Sequence, residues 1–213
     1  MTVEIVPADA REALGRIPSS GEDSGAGGAV VARVANQPLG GGAIPTSALH
    51  VRRIPWSIAR AFVREHHYLH QCSPIGRIAY GVFASDALVA SLIGVVLYVV
   101  PPNLNEDQAS TLEIQRLVIL DLTTRNAESR VLGVTLRDVR RRFPEIQRVI
   151  AYADPDAGHA GTIYKAAGFT ALGLSAPGGT THGPERRGTP RARTRKWKFE
   201  KLFAAVARIE VSP

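Results

Sequence analysis

One cysteine, Cys72, stands in 213 residues. That count excludes an intrachain disulfide and a cysteine-based zinc cluster. Also lacking is an apolar run of the roughly 18 residues that a membrane span requires. The longest candidate, Ala87 to Val100, is interrupted early and full of β-branched types, so it reads as a buried strand. Met1 to Arg16 shows no basic flank followed by an apolar stretch, so no secretory signal is expected and a cytoplasmic location is. No internal repeat is found. What is present is a hydrophobic fraction of 45%, enough for the core of one domain.

Charge is concentrated. Of the formal net charge of +7, the stretch Pro177–Lys201 carries +6, with Arg186, Arg187, Arg191, Arg193, Arg195, Lys196, Lys198 and Lys201 against Glu185 and Glu200. Trp197 and Phe199 are interleaved. Such a segment suits a phosphate backbone, and it equally suits a solvated tail.

Pro18–Thr46 holds seven glycines and three prolines with almost no hydrophobic periodicity. It cannot bury enough apolar surface to offset its ordering entropy, so residues 1–48 are expected to be a flexible arm. The body is expected over 49–203, with a basic loop at 177–195 and a tail over 204–213. Within the body a strand at 49–54 precedes a helix from Pro55 to about Glu65. Strands follow at Ile78–Ala84, Leu88–Val100 and Thr111–Leu120. Leu132, Leu136, Val139 and Phe143 share one face of a helix that starts near Asn126. Then come a strand at Arg148–Ala153, a short helix at Gly158–Ala167 closed by Gly168, and strands at Phe169–Ser175 and Lys196–Phe203. This order gives an α/β fold with a mixed central sheet, antiparallel at the front and parallel in the middle. It is similar to the order in the GNAT-type N-acetyltransferase fold.

Three stretches carry chemistry. In Tyr152–Phe169 (YADPDAGHAGTIYKAAGF), Asp154 directly follows a buried strand, at the end where α/β sheets place ligands. Tyr164 lies one turn and one helical step later. Asp154 also reads as a helix N-cap, Tyr164 as a core aromatic and His159 as a surface residue. In Glu65–His70 (EHHYLH), continued helix puts His66 and His70 at i and i+4, a spacing able to hold a metal. If the chain leaves the helix at His67, then His67 and Tyr68 point into a loop before the sheet. A histidine cluster favoured by the helix dipole is the plainer account. In Leu112–Leu117 (LEIQRL), Glu113 and Arg116 are charges inside an apolar strand, costly unless paired or used. Asn126–Ser129 open a helix and offer an anion site.

Together HHYLH, EIQRL, NAES and YADPDAGHAGTIYKAAGF, spread over His50–Gly173, resemble the phage Mom family of DNA-modifying proteins. The resemblance implies a GNAT-like fold and replacement of a hydrogen on the exocyclic amine of adenine by a carbamoylmethyl group, which shields DNA from restriction. It implies functional roles for His67, Tyr68, Asp154 and Tyr164, and iron at Tyr68, Asp154 and Tyr164. Oxygen ligands with an imidazole suit iron better than zinc. Asn126 and Ser129 match the family's helix-opening loop and are expected to bind cofactor.

The reading is therefore a transferase acting on adenine in double-stranded DNA, its site a sheet splay lined by Tyr68, Glu113, Arg116, Asp154 and Tyr164. Arg130, Arg137 and Arg141, one helical stripe, would join the basic segment on phosphates; a solvated helix face is the alternative. No membrane partner is expected, and the oligomeric state is left open. The usual acyl-coenzyme A pyrophosphate loop is glycine-rich. Here the position reads RNAESR, with no glycine before Gly133, which argues against coenzyme A binding in the usual manner. Two other readings fit the fold: an ordinary N-acetyltransferase for a small amine or protein, and a non-catalytic DNA-binding protein on the same scaffold.

Overall fold

A computed structural model describes residues 43–84, 92–176 and 195–203. The strands are β1 (His50–Arg53), β2 (Ile78–Phe83), β3 (Leu92–Val99), β4 (Thr111–Ile119), β5 (Arg148–Ala153), β6 (Thr170–Leu174) and β7 (Trp197–Leu202). The helices are α1 (Trp56–His66), α2 (Ala127–Arg142) and α3 (Thr162–Ala166), with single 3-10 turns at Thr46–Ala48 and Pro155–Ala157. The sheet order is β1-β2-β3-β4-β5-β7-β6. β1, β2 and β3 pair antiparallel, β4 and β5 parallel. The mixed sheet expected from the element order is present.

The chain divides into two compact units. The described part of the first is 43–84, 92–99 and 115–138; that of the second is 100–114, 139–176 and 195–203. The parallel register covers Thr111–Ile114 against Arg148–Ala151, inside the second unit.

In the first unit, β2 and β3 are buried at every position, as strands covered on both faces are. One face packs Phe62, Val63 and Ala59 of α1 against Ala79, Phe83, Val95 and Leu97. Each large side chain so buried contributes about 1.5–3 kcal/mol. Elsewhere in the unit are two buried polar pairs: Tyr80 donates to Asp138 at 2.9 Å, and the Tyr98 and Thr135 hydroxyls meet at 2.7 Å. Burial, then the Asp138 charge, pushes the Tyr80 hydroxyl well above its usual range, so it stays a donor.

The body begins earlier than expected. Ile44 is buried and bridges Thr123 in parallel; its N–H donates to Leu122 O, and its carbonyl accepts from Thr124 N. The arm assigned to 1–48 thus contributes Ile44 and the turn Thr46–Ala48 to the first unit. Residues 1–42, the start of the long strand before Leu92, most of the basic loop and the tail from 204 lie outside the described residues.

In the second unit, β7 pairs with β5 along Arg148–Ala153 and with β6 on its other side. A charged network ties these strands to the loop before β4. Glu106, 8% exposed, accepts from Arg148 Nη1 at 2.8 Å and from Lys198 Nζ, and Arg148 Nε donates to Glu200 at 2.9 Å. Among the described residues no helix is long and apolar enough to cross a membrane.

Candidate functional site

In the first unit, α1 stops at His66. His67 is extended (φ −90°, ψ 135°) and His70 is left-handed at φ 51°. His66 and His70 therefore do not share a helical face, and the i, i+4 metal pair does not form. The His70 ring instead places Nδ1 2.7 Å from the carbonyl of Arg64 at the helix end. His67 Nδ1 accepts from Leu69 N–H at 3.0 Å, which puts the proton of a neutral ring on Nε2. Its ring stacks on Tyr68, with centroids 4.4 Å apart and planes 25° apart, and Tyr68 is half-exposed. The second of the two arrangements left open for this stretch is the one found.

The loop after Tyr68 is pinned from two sides. Ser73 N–H donates to Gln115 Oε1 at 3.0 Å, and Arg116 Nε donates to Gln71 O at 2.8 Å. Trp56 Nε1 reaches Ser73 O at 3.3 Å, and its ring lies on Gly76, where a Cβ would sit 2.0 Å from Trp56 Cη2. Only glycine permits that approach. Arg116 thus meets the cost of its place in β4 by bonding carbonyls, Gln115 O being 2.6 Å from Nη1.

Asn126 takes the left-handed conformation (φ 69°) before α2 that glycine most readily supplies, a role asparagine tolerates. Ser129 Oγ donates to Asn126 O at 3.1 Å. The neighbouring Thr124 N–H is committed to Ile44 O at 2.9 Å. Arg130, Arg137 and Arg141 are exposed on α2.

In the second unit, Asp154 leaves β5 half-buried, and Oδ1 accepts from Asp156 N–H at 3.1 Å, so it caps the 3-10 turn Pro155–Ala157. The one helix expected over Gly158–Ala167 is broken. Gly158 (φ 76°) and Gly161 (φ 71°) are both left-handed, and only Thr162–Ala166 is α-helical. At Gly161 a Cβ would meet Phe199 Cζ at 2.1 Å, so the missing side chain is what lets α3 seat on β7. Tyr164 is buried there, its ring 5.4 Å from Phe199 and 5.6 Å from Phe169. His159 is exposed. Glu113 is half-buried beside Tyr152, whose hydroxyl is pushed up to about 12 by burial and then by Glu113 and Glu106.

Of the residues named from the sequence, His67, Tyr68, Arg116, Asn126, Ser129 and Arg137 belong to the first unit; Glu113, Asp154, Tyr164 and Arg141 belong to the second. Within the first unit, His67 and Tyr68 stack, and Arg116 holds the loop that follows them. Lys198, counted among the phosphate contacts, is committed to Glu106 because a buried carboxylate needs a cation. Arg195 is exposed and Lys196 half-buried, while Arg186, Arg187, Arg191 and Arg193 lie outside the described residues. The expected iron finds no support in the donor set. Among the described residues no three His, Cys, Asp or Glu gather. Asp154 uses Oδ1 as a cap, and Tyr164 is packed between two phenylalanine rings. What sequence reasoning missed is the buried Glu106, which accepts from Arg148 and Lys198.

Two solved structures share the fold. The spermidine/spermine N-acetyltransferase SpeG of Vibrio cholerae is 12% identical (TM-score 0.50, 74% of this chain and 94% of that one). The ribosomal-protein-S5-alanine acetyltransferase of Vibrio fischeri is 16% identical (TM-score 0.50, 73% and 93%). The fold is thus of the GNAT type. Among curated proteins, the methylcarbamoylase Mom of Escherichia phage Mu is 29% identical over 133 residues, 59% of this chain and 54% of that protein. The chain therefore spans about half the length of that relative. The family model described as the Mom protein family matches residues 48–194, well over half of the chain and including all four motifs. By that match the chain belongs to the Mom protein family.

Proposed function

We propose that this chain is a DNA-modification transferase that places a carbamoylmethyl or related group on the exocyclic amine of adenine in double-stranded DNA. The observation that carries the reading is the family match over residues 48–194, with the methylcarbamoylase of phage Mu as the named relative. In this reaction the adenine amine forms a bond to carbon, the donor's leaving group departs with its electron pair, and one amine proton is lost. The amine is a weak nucleophile because its lone pair is delocalised into the ring, so a base at the proton is required. Asp154 suits that role: it sits at the exit of a parallel strand, and its cap uses Oδ1. Tyr164 is proposed to hold the reacting groups through its hydroxyl, and Tyr68 with His67 to offer a stacking surface to the base. Glu113 and Arg116 are assigned to positioning.

The target amine is hidden in duplex DNA, so the base is flipped out at a cost of a few kcal/mol. Phosphate contacts from Arg130, Arg137, Arg141 and the basic segment offset that cost. Asn126 and Ser129 are assigned to the donor. An ordinary acetyl-coenzyme A enzyme fits less well, because the loop before α2 has no glycine and its Thr124 amide is occupied by Ile44. Plasmid recovered from cells expressing the full chain should resist a restriction endonuclease that is blocked by modified adenine and cuts control plasmid. Complete cleavage despite soluble protein would count against this function.

A further inference from the structure

Among the described residues of the first unit, the large apolar side chains that stand in solvent are Tyr68, half-exposed, and Ile75, 79% exposed. Both lie on the loop that joins α1 to β2, residues 67–77. A single exposed apolar residue is common on proteins and by itself says nothing. What sets Ile75 apart is a backbone fixed at several points beneath a side chain left outside. The ring of Pro74 locks the φ of the residue before it. Ile75 N–H donates to Ser73 Oγ at 3.2 Å, and the same hydroxyl donates to Ile75 O. Ser73 is tied in turn, its N–H to Gln115 Oε1 and its carbonyl to Trp56 Nε1. On the other side, Gly76 lies against the Trp56 ring, and Arg77 N–H donates to Tyr98 O at 2.9 Å. Ordinary collapse folds an isoleucine onto the core; these bonds hold this one away, and its β-branch leaves it few rotamers. The surroundings are cationic. Residues 43–84 contain Arg52, Arg53, Arg60, Arg64 and Arg77 against one carboxylate, Glu65, and Arg64 and Arg77 at the two ends of the loop are exposed. Such a balance favours a polyanion and disfavours a second copy of the same face.

We propose that Ile75 is a wedge that enters the base stack of duplex DNA and fills the place a flipped nucleotide leaves; the inference rests on the DNA-modification reading. Isoleucine is among the apolar residues that proteins insert between base steps. A gap in the stack exposes two base faces to water, and a side chain that covers them lowers the cost of keeping the base out. A side chain on an already fixed loop loses little further freedom on entry. Tyr68, on the same loop, meets the base that has left. Phosphate contacts supply affinity, and the wedge supplies extrusion.

The test uses the full chain with Ile75→Ala and Ile75→Leu. In cells carrying a plasmid, modified adenine should fall roughly tenfold or more with Ile75→Ala and return with Ile75→Leu, which is large enough to fill the gap. Both variants should melt near the parent, because the position is exposed. On the purified proteins, a duplex carrying one 2-aminopurine between randomised flanking bases reports unstacking through its fluorescence. The parent should raise that signal and Ile75→Ala should not, while duplex affinity and its salt dependence stay alike, since no phosphate contact is lost. Full modification by Ile75→Ala, with the fluorescence rise intact, would overturn the wedge and leave the DNA reading standing. If the parent leaves adenine unmodified yet raises the signal, the reaction falls, and loss of the rise in Ile75→Ala still supports the wedge. A parent that does neither overturns both. A parent that sediments as a dimer, separated by Ile75→Ala, would give the loop to a second copy and overturn the inference.

Discussion

Replacing Asp154 with Asn and Tyr164 with Phe, separately, is expected to leave two folded proteins that bind DNA and no longer modify adenine. The structural roles of both residues survive these changes. Asn caps a turn as well as Asp does, so the bond from Asp156 N–H to the side-chain oxygen is retained. Phe keeps the ring that packs on Phe169 and Phe199, and removing a hydroxyl costs about 0.5–1.5 kcal/mol. For a chain of this size that is a drop of a few degrees in melting temperature, at about 2–4 °C per kcal/mol. Loss of a general base lowers a rate by roughly 10²–10⁴. Activity and stability therefore part company, and modified adenine measured beside thermal melts reads both. Near-parental modification in both variants would remove these residues from the mechanism.

Glu106→Gln is expected to give the largest loss of stability among single substitutions of polar residues. Glu106 is buried and faces Arg148 and Lys198, and Arg148 also holds Glu200. The amide fills the same volume but leaves two cations without their shared charge. Breaking a buried pair this way costs about 3–5 kcal/mol, which at this size lowers the melting temperature by roughly 6–20 °C. Burial pushes the Glu106 carboxyl up, but the hydrogen bond and charge of Lys198, with the charge of Arg148, outweigh it and hold it below its ordinary value. A carboxyl with a depressed folded pKa contributes its full stability above the unfolded value, roughly 4.3 for glutamate, and loses it as the pH falls through the folded value. The parent should therefore lose stability below about pH 4.3 more steeply than the variant. Parallel acid-side melting curves for parent and variant would mean that the network contributes nothing through this charge.

The regular elements were legible because their hydrophobic patterns are strong. Arg148–Ala153 was bounded as found, and Leu132, Leu136 and Val139 do line the buried face of α2. Periodicity carries no sign of φ, however. It joined Gly158–Ala167 into one helix, where two left-handed glycines divide it. It also left the end of α1 undecided, and with it the fate of the histidines, which rests on His67 turning extended. Glu106 sits in a run of polar loop residues, where nothing local marks it for burial. Its partners lie 42 and 92 residues away in sequence, a separation that local reading does not cover. The motifs were legible for another reason: the residues of HHYLH, EIQRL, NAES and YADPDAGHAGTIYKAAGF are visible without knowing the fold, and all four fall within the family match over residues 48–194.

The central claim is that this chain puts a new group on adenine. Mass spectrometry of nucleosides from the genomic and plasmid DNA of cells expressing the full chain tests it most directly. The account predicts a nucleoside heavier than deoxyadenosine by the transferred group, present with the parent chain and absent with Asp154→Asn. Unmodified deoxyadenosine in both DNA pools, with the chain soluble and folded, would contradict it.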